Sequence, residues 1–157
     1  MLKKVFSIIL VVVWMCVIFF LSNEKSDVST KKSNVVIDKT VLNIYRHTKN
    51  YNRDNERDVL KYSVTPIRKL AHFVEYFILG ILVMNMLVNF GIDRNVIFYS
   101  TIYCLLYAVT DEIHQVFVAG RSAQVIDIIV DTFGGFAGSY VYVNMGNFGG
   151  KLSKKKE

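Results

Sequence analysis

VFSIILVVVWMCVIFFL, residues 5–21, is apolar at every position except Ser7. A helix through this stretch and its flanks crosses the ~30 Å hydrocarbon core of a bilayer. Met1-Leu2-Lys3-Lys4 before it resembles the basic start of a secretory signal. The run is longer than a usual signal core, however, and no small-x-small cleavage site precedes Ser22-Asn23. Cys16 follows Val13-Trp14-Met15, which lacks the small residue expected before a lipidated cysteine. Residues 1–22 therefore read as an uncleaved first span.

Three more apolar blocks follow. The second opens at Thr65-Pro66, an N-cap residue followed by the residue best suited to the first helical position, and runs to about Phe90, with Gly91 as C-terminal cap. The third runs from Asn95 to about Val118 and closes at Ala119-Gly120. The fourth runs from about Ser122 to Met145, before a Gly-rich patch and the tail Lys151 to Glu157. Sheet edges would be unpaired at bilayer depth, so each block is expected to be helical. The predicted fold is all-α, an integral membrane bundle of four transmembrane helices with an amphipathic segment in its long first loop. It divides into the first span (1–22), the polar loop (23–65), a three-span core (66–145) and a basic tail (146–157). In the loop, Ile37, Val41, Ile44 and Tyr45 recur at helical spacing, with Asp38, Lys39, Arg46 and His47 on other faces. A solvated connector is the equal alternative for this stretch. Asn50 to Asp58 is almost wholly polar and reads as loop.

The chain has 157 residues, 52% of them hydrophobic, which fits one domain and excludes disorder. Its net charge of +6 sits in flanks and loops around apolar spans, where anionic membrane lipids are the natural partner; no motif points to nucleic acid. Cys16 and Cys104 lie inside apolar blocks and form neither a metal spacing nor a disulfide framework. With four spans, Lys3-Lys4 and Lys154-Lys155-Lys156 share a side, and the positive-inside rule places them in the cytoplasm. The first loop is also rich in Lys and Arg, and a literal count favours the opposite orientation. The signal-anchor character of the start decides for both termini inside.

Charged residues mark the start of span two, the end of span three and the start of span four. Arg68, His72, Glu75 and Tyr76 share one helical face beside Lys69, in a first turn where the helix dipole disfavours cations. Asp111, His114 and Gln115 share a face near the end of span three, with Glu112 partly aside. Ionisable groups in a span cost ~2.5–3.5 kcal/mol each at a helix centre, so such a cluster needs a reason. Arg121 lies in the next turn, and Asp127 and Asp131 lie four apart on span four. Spans two and four run parallel and span three antiparallel, so all these residues meet on one side of the membrane. Gly134 and Gly138 form a small-xxx-small pair for close helix approach, within the chain or between chains; the oligomeric state is not legible.

Four ordered motifs carry a family resemblance: Arg68-Lys69-x-x-His72-Phe73-x-Glu75-Tyr76, Asp111-Glu112-x-His114-Gln115, Gly120-Arg121 with Asp127, and Gly134-Gly135. Together they resemble the VanZ-like family of bacterial membrane proteins over about Pro66 to Tyr140, and more weakly in the first span. Ala119 stands where the family usually has Pro, and Ser22-Asn23-Glu24 stands where it often has Ser-Ser-Gln. The family takes its name from a member linked to teicoplanin resistance. The resemblance therefore implies a cell-envelope role connected with a glycopeptide antibiotic, and implies no particular reaction.

Three readings of the cluster remain open. It binds an anionic lipid-linked or cell-wall headgroup, or the antibiotic itself, with Arg68, Lys69 and Arg121 meeting phosphate. Alternatively it is catalytic, with His72, Glu75, Asp111, Glu112, His114 and Asp127 as candidates for general acid–base work. Or it is a polar lock between helices. No cofactor is expected and no metal ligand is assigned; a divalent metal held by mixed imidazole and carboxylate ligands is the minor alternative. Ser122, His114 and Asp127 can be written as a triad, but no nucleophile elbow surrounds Ser122.

Overall fold

A computed structural model describes residues 1–24, 26–48, 52, 55–92 and 94–153, without the side chains of 26, 27 and 146–153. Among the described residues the chain is all helical, with no strand. Helix α1 spans Leu2–Ser22. Helix α2, Ser26–Ile37, continues through a π-helical turn, Asp38–Leu42, into the short α3, Asn43–Arg46. Then come α4, Glu56–Asn89, α5, Val96–Gln115, and α6, Val125–Ser153. Among the described residues, three helices are long and apolar enough to cross a membrane: α1, α4 and α5. Helix α6 has the length, but Asp127, Asp131, Asn144 and its glycines dilute its apolar content.

The second helix starts ten residues before the expected Pro66, so Pro66 lies inside α4 and Thr65 is not its cap. Proline has no N–H for the carbonyl four residues back, a loss an interior helix normally resists. Here the added turns are held from outside, because the segment from α2 through the π-turn packs on α4. Val41 and Tyr45 face Val59, Tyr62 and Pro66 across one groove. The other end of α4 is as expected. Gly91 takes φ +81°, Ile92 N–H reaches the Leu87 carbonyl (3.1 Å) and Gly91 N–H reaches Val88 (3.0 Å). That pair of bonds is a Schellman cap.

In the first loop the expected apolar face is only partly kept. Ile37 is fully buried, but the next buried residue is Leu42, five positions on, while Ile44 is 69% exposed. A π-turn advances the chain one residue further per turn than an α-turn, so it brings Leu42 inward where a regular helix would present Val41. Helix α5 ends at Gln115, before the expected Val118, and α6 continues past Met145 to Ser153. The charged tail residues Lys154-Lys155-Lys156 lie outside the described residues.

The core lies between α1, α4 and α5, around Val11, Ile18, Tyr76, Leu79, Val83, Cys104 and Ala108. The outer faces are also apolar, with Phe6, Val13, Phe20, Phe98, Leu106, Ile129 and Phe133 exposed. A water-facing surface would not carry these in such continuity; lipid tails accept them. Helix α4 makes its largest contact with α6. A Cβ at Gly134 would collide with the Phe73 carbonyl, one at Gly138 with the Phe77 carbonyl, and one at Gly80 with the Gly135 carbonyl. The small-residue pair therefore serves intrachain packing, bringing the two backbones together so that residues 72 and 131 can meet.

Candidate functional site

The ends of α1 and α5, the connector before α6, and the facing stretches of α4 and α6 converge as the order of spans requires. From α4, His72 and Tyr76 point into the bundle and are buried, and Glu75 is half-buried beside them. From α6, Asp131 is fully buried, and its Oδ1 lies 3.5 Å from His72 Nδ1. From α5, Asp111 completes the group: one ligand atom from each of His72, Asp111 and Asp131 lies within 4.8 Å of the others. These three are the described residues best placed to hold a metal ion.

Asp111 Oδ2 accepts hydrogen bonds from Ser22 Oγ (2.8 Å) and Gln115 Nε2 (3.2 Å). Asp111 Oδ1, both oxygens of Asp131, His72 Nδ1 and the Tyr76 hydroxyl are buried without a hydrogen-bond partner among the described residues. Glu112 does not stand aside as its helical position suggests. It is buried, and its Oε2 accepts the Gln124 backbone N–H at 2.8 Å, just before α6 begins. The His114 ring stacks on Phe19 of α1 with centroids 4.3 Å apart. Ser122 is exposed, and among the described residues no hydrogen bond joins it to His114 or Asp127, which leaves the written triad without a geometry.

The cations divide sharply. Lys69 pairs with Asp127, the buried acid in the first turn of α6. Arg68, one residue earlier, makes no ion pair among the described residues. Arg121 follows Gly120, whose φ of +77° turns the connector back toward α1, where Arg121 Nε donates to the Glu24 carbonyl (2.9 Å). Its Nη1 is buried without a hydrogen-bond partner among the described residues. Burial, and then the charge of Arg68, pull the Arg121 guanidinium below its ordinary pKa. Arg68, Arg121, His72 and Glu75 line one cleft of about 210 Å³, roofed by Lys32, Ser33 and Val36 of α2. Lys32 is itself paired with Glu24.

Sequence reasoning missed the part played by α1 and α2. Ser22 and the Glu24 carbonyl hold Asp111 and Arg121, and α2 covers the cleft. The signal for α1 was available: the loop after it leads into α4, so its end must lie on the same side as the cluster.

The family comparison agrees with the motifs. No curated protein matches the chain, and no solved structure does. A family model described as VanZ/LLP1 matches residues 6–146, which takes in α1 and the first loop as well as the three later helices. With its apolar helices of spanning length, the match makes this a membrane protein. The chain belongs to the VanZ/LLP1 family.

Proposed function

We propose that the chain crosses the bacterial cell membrane four times, with α6 as the fourth span and both termini in the cytoplasm. Its polar end binds an anionic lipid-linked or cell-wall headgroup, and this modulates susceptibility to a glycopeptide such as teicoplanin. The observation that carries the reading is the pair Arg68 and Arg121. Two guanidiniums share one cleft, neither forms an ion pair with a carboxylate among the described residues, and Arg121 is already held below its ordinary pKa by burial and by its neighbour. Like charges held together in a partly buried cleft are stabilised by an anion, and guanidinium groups match phosphate geometry. Lys69 has a lesser part, because Asp127 occupies it. The cleft lies at the polar end of the bundle, where a lipid headgroup would sit.

The test is direct binding of a short-chain polyisoprenyl phosphate to the purified full chain in detergent, with phosphatidylglycerol as comparison. Saturable binding lost in Arg68→Gln supports the reading; equal binding by that variant ends it. Orientation is tested by accessibility labelling of single cysteines placed at Lys31 and Lys154 in a chain lacking Cys16 and Cys104. Labelling of position 31 from the cytoplasm would remove the extracellular headgroup from consideration.

A second reading, a membrane enzyme acting on a lipid-linked or phosphate-containing substrate, is favoured by one observation. His72, Asp111 and Asp131 place unpartnered polar atoms together directly behind the basic cleft.

A further inference from the structure

We propose that His72, Asp111 and Asp131 form a binding site for a divalent first-row transition cation, in the class of Zn²⁺ or Mn²⁺. The geometry comes first. Two ligands about 2.1 Å from a tetrahedral metal stand about 3.4 Å apart. His72 Nδ1 and Asp131 Oδ1 stand 3.5 Å apart, too far for a good hydrogen bond and close to this ligand spacing. Asp111 brings a third atom within 4.8 Å of both, from a different helix, so the site is assembled by the bundle and not by one local motif.

The second observation concerns satisfaction. Buried polar atoms are nearly always hydrogen-bonded. His72 is 8% exposed, Asp111 3% and Asp131 0%, yet Asp111 Oδ1 and Asp131 Oδ2 find no hydrogen-bond partner among the described residues, and His72 Nδ1 and Asp131 Oδ1 meet only each other, across 3.5 Å. Four buried atoms without a hydrogen bond, gathered in one small volume, mark the place of a ligand that accepts lone pairs. Charge selects its kind. Deprotonated as metal ligands must be, two carboxylates and one neutral imidazole would carry two negative charges, and a divalent cation would cancel both. Mixed imidazole and carboxylate donors suit zinc and manganese better than magnesium or calcium.

The third observation is the support behind Asp111. Ser22 and Gln115 both donate to Oδ2, which fixes the carboxylate and leaves Oδ1 turned to the cluster. Metal-binding carboxylates are characteristically held this way by outer hydrogen bonds, which tune affinity. His72 also lines the basic cleft, so the cluster adjoins the space where an anion would enter.

The experiment uses the full chain, purified in detergent without a histidine tag. Bound metal is measured by mass spectrometry, and Zn²⁺ and Mn²⁺ are titrated separately by calorimetry. One equivalent of one of them per chain is expected, with binding lost in His72→Gln and Asp131→Asn. Ser22→Ala, which removes only the outer hydrogen bond, is expected to weaken binding about tenfold. His47→Ala, on the first-loop segment, is expected to bind as the parent does. Each variant is compared at equal helical circular dichroism and equal elution volume. Should Asp131→Asn fail that comparison, Ser22→Ala decides alone. Absence of stoichiometric binding by the parent chain overturns the proposal. So does binding that survives Asp131→Asn, or an undiminished affinity in Ser22→Ala. Since the probe is the cation alone, the outcome stands apart from that of headgroup binding.

Discussion

The Ser22 hydroxyl donates to Asp111 Oδ2 across 2.8 Å, tying the last residue of α1 to the charged end of α5. Both residues are buried, at 2% and 3% exposure, so water cannot replace the bond if it is cut. Ser22→Ala should lower stability by ~1 kcal/mol, within the range for buried hydrogen bonds and for polar contacts between membrane helices. A double-mutant cycle with Asp111→Asn, followed by thermal unfolding in detergent, measures the coupling. Additive effects would mean that α1 and α5 are not joined at this point.

The glycine seam makes a separate prediction. Because a Cβ at Gly138 would overlap the Phe77 carbonyl, Gly138→Ala has to push α6 away from α4. Overpacking of this kind costs ~1–3 kcal/mol. The same shift would separate His72 from Asp131, so cation affinity should fall together with stability. The oligomeric state should not change, since the seam is used within one chain. Cross-linking of parent and variant in the same detergent checks that.

How much of this is legible in the sequence depends on what each residue costs. His72, Asp111, Asp127 and Asp131 are conspicuous because ionisable groups are expensive in an apolar stretch, and span order alone brings them to one end. Ser22 carries no charge to flag it, and the Glu24 carbonyl has no side-chain signature, so α1's part follows only from topology. The Leu42 register was hidden for a different reason. A fixed helical period cannot anticipate a π-turn, which shifts the phase by one residue. Pro66 was ambiguous in itself, because proline at a first helical position and proline within a supported helix look alike. The packing of residues 38–45 on the preceding turns decides between them, and that is tertiary information.

Pro66 can be tested on that basis. Inside α4 it leaves the Tyr62 carbonyl without its usual N–H donor. Pro66→Ala restores the bond, and stability should rise by ~1 kcal/mol or more, short of the ~3 kcal/mol interior penalty because the native helix has adapted to the ring. At a first helical position the same change would be neutral or mildly unfavourable. Thermal unfolding of Pro66→Ala beside the parent chain tells the two apart.

Arg68 and Lys69 are neighbours in sequence with opposite roles, and the contrast separates a structural lock from a binding site. Lys69 pairs with Asp127, which is 7% exposed and would be left nearly alone by Lys69→Met. Removing one partner of a buried pair costs ~3–5 kcal/mol; with the Lys69 side chain still 27% exposed, a loss of ~2 kcal/mol is expected. Arg68 has no ion pair to lose among the described residues, and its charge works against Arg121, so Arg68→Gln should leave stability unchanged or slightly higher. Binding of a polyisoprenyl phosphate should show the reverse order, with a large loss in Arg68→Gln and a smaller one in a folded Lys69→Met. Should both variants lose stability and binding in proportion, the polar end would be a helix lock, and its two arginines would have no anion to meet.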